Sequence, residues 1–471
     1  MPLGESELQE VDQIFDAYFQ TGATPGLVYG VADGDQLIHS RTIGMSEIGS
    51  RTPTSRTTFR VASITKSFTA ASAILLRDRG VLDLETPISR YLPELKNLKM
   101  PFQDAPEIQA RMLLSMSAGF PTDDPWADRL EQATDAEFGA ILEGGIRFDS
   151  VPGVRFEYSN LGYAMLARII ARVTGIPFID FVPREFLQPL ALNSTTFDFR
   201  NAMDLAVGYA KRGEWQSEVF SEPGAFSAIG GLITNLDDLV AWSGYLSEAF
   251  DLGVAERGPL CKASRREMQQ VHRFIPEAVD PGVEPAHAGS MGYGFGLMVE
   301  HDRNFGKIVG HSGGYPGYGS HMRWHTESRI SVIALANGRY AGPFKPCTTA
   351  LRSLLVTVEP NQVEPSSESL VFQGEVNRLI SHWDDDIADR IFAFNMDLDH
   401  PRAYRLEQIQ VAIAQIGGLK KELEVFAEMS KDSSHRSWKI AGNKGTLSVE
   451  IRLAPNLPPR LQSWRVTVGE I

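Results

Sequence analysis

A serine and a lysine three residues apart, Ser63 and Lys66, stand at the start of an apolar helical pattern. Because side chains three apart share one face of a helix, the Lys66 amine can lie beside the Ser63 hydroxyl. A serine hydroxyl is a weak nucleophile at neutral pH and needs a base of this kind. The positive end of the helix should stabilise an oxyanion and lower the pKa of Lys66. The pair predicts acyl transfer, although S-x-x-K alone also occurs by chance.

A second candidate, Tyr158-Ser159-Asn160, stands where a loop enters the next apolar helix. Tyr158 could carry a proton between Ser63 and a leaving group if nearby cations lower its pKa from about 10. Asn160 could hydrogen-bond a catalytic lysine and a substrate carbonyl. The structural alternative is a buried tyrosine beside an asparagine helix cap.

The third candidate is the run His311-Ser312-Gly313-Gly314 at the end of a predicted strand. Small residues allow a substrate backbone to approach closely, and an amide of this strand could join that of Ser63 as a second oxyanion donor. The alternative is a polar histidine at an ordinary turn.

The elements that must position these residues are readable from periodicity. Apolar residues at Ile64, Phe68, Ala71 and Leu75 predict a helix from Ser63 to Arg79 that Gly80 ends. Further patterns predict helices over residues 6–20 and 161–174, and a hairpin with its turn at Asp33-Gly34-Asp35.

The order of these patterns predicts the fold class. β-like runs follow one another over residues 290–338, whereas residues 81–250 are mostly helical or loop. We expect an α/β (α+β) protein in which an antiparallel sheet, joined by the N-terminal hairpin, is flanked by helices and accompanied by an all-helical subdomain.

The chain is long enough for about two domains. Pro, Ser and Glu replace apolar runs over residues 358–369, which predicts a linker between a serine hydrolase domain at 1–357 and a small α+β domain at 370–471. The small domain should contain helices near 370–395 and 403–417. Its role is open.

Composition narrows the possible partners. Acidic residues outnumber basic ones, 59 to 45, without any basic run, so nucleic acid is not an expected partner. No apolar stretch is long enough to span a membrane, and the N-terminus lacks the pattern of a signal peptide. Cys261 and Cys347 could pair but form no disulfide framework, which favours a cytoplasmic protein. No motif indicates a metal or an organic cofactor.

The three motifs, in this order and spacing, resemble the serine β-lactamase and penicillin-binding-protein superfamily. The Y-x-N form indicates its class C β-lactamase, D-aminopeptidase and family VIII esterase branch. The resemblance spans residues 10–355 and extends to the flanking segments FRVASITKSFTAASAILLRDRGVLDLETPISRYLPEL, LLSMSAGF, PGVRFEYSNLGYAMLARII, GGLITNLDDLVAW, YGFGLMV and GHSGGYPGYGS.

The resemblance implies a β-lactamase/transpeptidase-like fold and a role for each candidate. Ser63 would be the acylated nucleophile, Lys66 its proton acceptor, and Tyr158 the acid/base that expels the leaving group and activates water. Asn160 would orient the substrate, and the amides of Ser63 and Gly314 would form the oxyanion hole.

One departure changes the expected substrate. Most β-lactamases of this branch have lysine where this chain has His311, and a histidine is mostly neutral at pH 7. Selection for substrates that carry a carboxylate is therefore weakened. Arg323 could restore a cation, and ordinary packing is the alternative role for it and for the aromatic residues that could line an acyl pocket, Phe120, Trp126, Tyr315 and Tyr318.

The sequence thus predicts an esterase or amidase that acts on small ester, amide or peptide substrates through a Ser63 acyl-enzyme. D-aminopeptidase and β-lactamase or DD-peptidase-like activities are alternatives. A protein of another class, an acylatable penicillin-binding or sensor protein without turnover, is also open, as are transacylation and the oligomeric state.

Overall fold

The computed structural model describes residues 3–251, 253–276, 289–358, 364–428, 430 and 432–469. The chain divides into two compact units, Met1–Glu359 and Pro360–Ile471. The described strands are β1 (Gly26–Asp33), β2 (Gln36–Gly44), β3 (Phe59–Arg60), β4 (Tyr209–Arg212), β5 (Glu214–Ser217), β6 (Ile233–Thr234), β7 (Arg273–Phe274), β8 (Ser290–Tyr293), β9 (Met298–Asp302), β10 (Gly306–Tyr315), β11 (Tyr318–His325), β12 (Ile330–Ala336), β13 (Val425–Ala427), β14 (His435–Ala441), β15 (Thr446–Leu453) and β16 (Leu461–Gly469).

The described α-helices are α1 (Glu5–Gln20), α2 (Thr65–Asp78), α3 (Ala110–Leu114), α4 (Asp135–Glu143), α5 (Asn160–Thr174), α6 (Phe178–Val182), α7 (Ser227–Gly230), α8 (Leu236–Ser247), α9 (Lys262–Met268), α10 (Phe344–Val356), α11 (Ser367–Ser381), α12 (Asp385–Ile391), α13 (Met396–Asp399) and α14 (Arg402–Gln415). None of the helices in the described residues is long and apolar enough to cross a membrane.

The first unit is built on an antiparallel sheet of eight described strands in the order β2-β1-β12-β11-β10-β9-β8-β7. The N-terminal hairpin joins the meander because β1 pairs with β12 as well as with β2. Gly34 adopts a positive φ of 59° in the turn between β1 and β2, a conformation that glycine takes at little cost. The predicted fold class is confirmed.

Both faces of this sheet are covered, so its central strands are buried throughout. Along β1, alternate side chains point to opposite faces. Leu27, Tyr29 and Val31 contact the core shared with α1 and α10, whereas Val28 and Ala32 belong to the core on the side of α2 and α8. We call the α1 and α10 side the rear face and the α2 and α8 side the front face.

Helix α2 lies inside the front core and is buried all round, not along one stripe. Its small side chains allow this close packing, and Thr69 donates a hydrogen bond to the Ala228 carbonyl of α7 over 2.8 Å. The helix begins at Thr65, whereas the sequence predicted Ser63, because a short 3-10 helix, Ala62–Ile64, precedes it. The hydrogen bond of Thr69 anchors α2 to α7.

The second unit contains helices α11 to α14 and a sheet of four described strands in the order β13-β14-β15-β16. The helix predicted near 370–395 is two helices, because Asp384 caps the start of α12 and breaks the run. The predicted linker at 358–369 lies in part outside the described residues, at 359–363, and its end is corrected: Ser366 caps α11, which begins at Ser367.

Candidate active site

Ser63 lies in the short 3-10 helix between β3 and α2 and is partly exposed. The preceding residue, Ala62, has a positive φ of 49°, a strained conformation for a residue with a side chain. Strand β10 packs directly on this turn at Gly313, where a β-carbon would lie 2.2 Å from the Val61 carbonyl oxygen. The nucleophile candidate is thus held between α2 and the front face of β10.

Lys66 is fully buried, and its amine contacts the Ser63 hydroxyl. The Lys66 Nζ atom donates to Ser63 Oγ over 2.9 Å and to the Ile229 carbonyl over 2.8 Å. Burial lowers the pKa of Lys66 to about 8, while the carboxylates described next oppose that shift. The expected direction of the shift is therefore present, and its main cause is desolvation.

Three carboxylates that the sequence analysis did not single out lie near Lys66. Asp124, Asp128 and Asp123 each act electrostatically on Lys66 in the direction that raises its pKa. They stand three to eight residues after the segment LLSMSAGF, so their position near a family-like segment was the signal available in the sequence. Asp128 is itself buried, and its pKa is raised to about 6, mainly by desolvation.

Tyr158 lies close to both Ser63 and Lys66. The Lys66 Nζ atom is 5.1 Å from the centroid of the Tyr158 ring, and Ser63 is near enough to the Tyr158 hydroxyl to act on its pKa. Nearby cations do not lower its pKa: burial, together with Asp124, raises the pKa of Tyr158 well above its usual value. Tyr158 is therefore a neutral phenol that can donate a proton.

Asn160 is the first residue of α5 and is fully buried. Its side-chain nitrogen donates to Asp123 over 3.1 Å and to Asp124, so it holds the two carboxylates near Lys66. Its Oδ1 atom has no hydrogen-bond partner among the described residues. The side-chain nitrogen that could donate to a substrate carbonyl is thus used to position acidic side chains, and the two hydrogen bonds of Lys66 go to Ser63 and Ile229.

His311 is buried and neutral. Its Nδ1 atom lies 2.6 Å from the Ser312 carbonyl oxygen and so carries the hydrogen, which leaves Nε2 to accept from the Tyr293 hydroxyl over 3.1 Å. Burial, with the Lys66 charge nearby, lowers the pKa of His311 to about 3. The ring centroid of His311 is 6.4 Å from that of Tyr158. His311 therefore adds no positive charge to the site.

The other residues of the third motif divide between the two faces of β10. Gly313 faces Val61 and Ala62 beside Ser63, whereas the Ser312 hydroxyl lies on the rear face, 2.8 Å from His321 Nδ1. The Ser312 side chain is therefore not brought to Ser63.

The Gly314 amide points to an open edge. β10 and β11 are joined by a two-residue turn, so Tyr315 and Tyr318 form the closing hydrogen-bonded pair. Because hydrogen-bonded pairs alternate along an antiparallel ladder, Gly314 directs its amide away from β11. Among the described strands, the pairing of β9 with β10 stops at Gly310. The amide is placed to meet a ligand at that edge.

The remaining candidates serve packing more than chemistry. Arg323 lies on the rear face, where it pairs with Glu300 over 2.9 Å and contacts Thr348 of α10, so it does not restore a cation near Ser63. Phe120, Tyr315 and Tyr318 are buried, and the Tyr315 hydroxyl donates to Glu131 over 3.0 Å. Of the four aromatic residues, Trp126 alone is exposed, at 47%.

Cys261 and Cys347 are free thiols, the first exposed and the second buried. No group of three or more His, Cys, Asp or Glu side chains within the described part of the chain is arranged to hold a metal ion.

Comparison with known families gives a match over most of the first unit. The family model described as Beta-lactamase matches residues 11–355. Penicillin-binding protein 4* of Bacillus subtilis (strain 168) is 25% identical over 348 residues, which cover 71% of this chain and 72% of that protein. Protein flp of Staphylococcus aureus (strain MW2) is also 25% identical over 348 residues, but the match spans only 63% of its length.

Solved structures share the fold. An octameric penicillin-binding protein homologue from Pyrococcus abyssi superposes with a TM-score of 0.64 at 21% identity and covers 98% of this chain and 100% of its own. A class C beta-lactamase superposes with a TM-score of 0.61 at 17% identity, and the match covers 77% of this chain and 99% of that protein. A D-stereospecific amidohydrolase from Streptomyces sp. gives 0.59 at 23% identity, with 74% and 98%.

Proposed function

The chain belongs to the beta-lactamase family, and from that premise we propose that it is a serine hydrolase that cleaves small esters or amides through an acyl-enzyme on Ser63. The observation that carries this proposal is the contact of 2.9 Å between the buried Lys66 amine and the partly exposed Ser63 hydroxyl. A lysine whose pKa is about 8 is partly neutral near physiological pH and can accept the serine proton.

In acylation, neutral Lys66 takes the Ser63 proton while Oγ bonds to the substrate carbonyl carbon. The amides of Ser63 and Gly314 donate to the oxyanion. When the bond to the leaving group breaks, Tyr158 donates its phenol proton to that group and regains a proton from the Lys66 ammonium.

Deacylation reverses this order with water in place of the leaving group. Water bonds to the acyl carbon as it passes a proton to Tyr158, and Tyr158 passes its own proton to Lys66. Breakage of the acyl bond to Ser63 Oγ releases the acid, and Lys66 returns the proton to Ser63.

The charges around the site support an uncharged substrate over one that carries a carboxylate. Asp123, Asp124 and Asp128 place negative charge near Lys66, and His311 is neutral. A substrate that carries a carboxylate would therefore be repelled. The same carboxylates favour a substrate with a free amine. They make hydrolysis of a small amide by a D-aminopeptidase-like activity the second candidate.

The acyl-enzyme is tested with p-nitrophenyl acetate and butyrate. We expect a burst of p-nitrophenol and, by intact mass spectrometry, one added acyl group, both lost in Ser63→Ala. Ser40→Ala, which changes an exposed serine of β2, should retain both. Folded protein that gives neither burst nor adduct would remove the proposal.

Two further substrates rank the alternatives. Turnover of D-alanyl p-nitroanilide above that of p-nitrophenyl acetate would favour the aminopeptidase-like activity, and turnover of nitrocefin would favour a β-lactamase. A stable Ser63 adduct without turnover would instead support an acylatable binding protein.

A further inference from the structure

Tyr340, in the loop between β12 and α10, packs behind the open edge of β10. A β-carbon at Gly314 would lie 2.9 Å from Tyr340 Cδ1. Since neighbouring residues of a strand face opposite ways and Gly313 faces the Ser63 turn, Gly314 faces the rear. The Tyr340 ring therefore starts on the rear side of the strand.

The hydroxyl of the same residue reaches the front side. Tyr340 Oη donates to Asp128 Oδ2 over 2.8 Å, and Asp128 lies near enough to Lys66 and Tyr158 to act on both electrostatically. The phenol must therefore pass the end of β10 at or beyond Gly314. This single hydrogen bond ties the sheet to the helical region beside the oxyanion amide.

The backbone of the loop holds the ring in that place. The Tyr340 amide donates to the Tyr315 carbonyl over 3.2 Å, and Ala341 donates to Gly338 over 3.1 Å. Tyr340 itself adopts a positive φ of 50°, which a tyrosine keeps only where its surroundings require it. Because the side chain is 38% exposed, it borders open space as a wall and is not a core residue.

The position of Tyr158 decides which half of a substrate meets this wall. A strand rises about 3.3 Å per residue, so His311 and Gly314 are about 10 Å apart along β10. Tyr158 lies at the His311 end, and a leaving group must be there to receive its proton. The acyl group then extends towards Gly314 and the Tyr340 ring.

The geometry points to Tyr340, held by Asp128, as a specificity-determining residue that limits the length of the acyl group and stops a peptide from extending along β10 past Gly314. This inference rests on the proposed acyl-enzyme at Ser63.

The test compares p-nitrophenyl esters from acetate to octanoate with three proteins. We expect kcat/KM of the wild type to fall by about tenfold or more from butyrate to octanoate, since a ring that blocks the acyl side disfavours each added methylene. Tyr340→Ala should raise the ratio of octanoate to acetate by about tenfold or more. Tyr340→Phe, which keeps the ring and removes the bond to Asp128, should fall between the two.

An unchanged ratio in Tyr340→Ala, or a wild type that hydrolyses octanoate as well as acetate, would overturn the inference. If Tyr340→Phe has the same ratio of octanoate to acetate as the wild type, the hydrogen bond to Asp128 plays no part in this selectivity. p-Nitrophenyl and 2-naphthyl acetate differ only in the leaving group, so Tyr340→Ala should not change the selectivity between them. If Tyr340→Ala changes this selectivity and leaves the acyl-length ratio unchanged, the assignment of Tyr340 to the acyl side is wrong.

Two controls keep this test separate from folding and from the proposed function. Tyr340→Gly removes the ring and suits the positive φ, so it replaces Tyr340→Ala if that variant does not fold. A wild type without an acetate burst would sink the proposed function, whereas a normal burst with an unmoved chain-length ratio would sink only the role of Tyr340.

Discussion

Buried cations lie on both faces of the β10 region, and Lys66 on the front face differs in its partners from Arg323 and Arg352 on the rear face. On the rear face, Arg323 and Arg352 contact the carboxylates of Glu300 and Asp302, with Arg323 to Glu300 at 2.9 Å and Arg352 to Asp302 at 3.1 Å. On the front face, the two hydrogen bonds of the Lys66 amine go to uncharged oxygens, those of Ser63 and Ile229.

The difference shows how one sheet can hold charges for structure and for chemistry. Arg323 and Arg352 stay protonated because a guanidinium is not deprotonated in proteins, and their carboxylate partners offset the cost of burying the charge. Lys66 has carboxylates near it but not against it, so burial lowers its pKa to about 8 and makes its proton exchangeable. The kind of cation and its partners, more than burial itself, separate Lys66 from Arg323 and Arg352.

The largest expected effect is on the front face. Lys66→Ala should lower kcat/KM for p-nitrophenyl acetate by about 10²- to 10⁴-fold, since it removes the proton acceptor. The exposed Lys96 provides a matched control, and Lys96→Ala should retain the wild-type rate. A Lys66→Ala protein within tenfold of the wild type would mean that the front face is not the reactive one.

The rear face should respond in stability and not in rate. Glu300→Gln leaves Arg323 and Arg352 without one carboxylate, which should lower the free energy of unfolding in urea by about 3 kcal/mol. The rate per folded molecule should stay the same. Glu424→Gln, at an exposed pair with Lys420, should cost less than about 1 kcal/mol. If Glu300→Gln lost rate at unchanged stability, the assignment of the rear-face charges to stability and not to catalysis would be wrong.

The pH dependence of the rate should follow the titration of the Lys66 amine. Because neutral Lys66 is the active form and its pKa is about 8, kcat/KM should rise about tenfold from pH 7 to pH 9 and then level off. The pKa of His311 is lowered to about 3, so it contributes no step near pH 6.5. A rate that falls as pH rises through 8 would contradict this assignment.

The smallest effect sharpens the role of the nearby carboxylates. Asp128 raises the pKa of Lys66, so Asp128→Asn should move the inflection of the kcat/KM profile to lower pH while keeping an acceptor for Tyr340. Asp135→Asn, at a carboxylate that is 84% exposed, should leave the inflection in place. A shift to higher pH in Asp128→Asn would show that this carboxylate acts on another group.

What the sequence by itself determined is local or repeated along the chain. The spacing of Ser63 and Lys66 joins them through the geometry of one helical turn, and alternating apolar runs predicted the meander with its N-terminal hairpin.

Only the tertiary structure decided the matters that depend on contacts between distant segments. Burial raises the pKa of Tyr158, and the side-chain amide of Asn160 donates hydrogen bonds to Asp123 and Asp124. Because side chains alternate along β11, Arg323 faces the rear, where it pairs with the Glu300 carboxylate. Desolvation, charge pairing and the face of a strand are set by what packs against a residue, and periodicity along the chain does not contain that information.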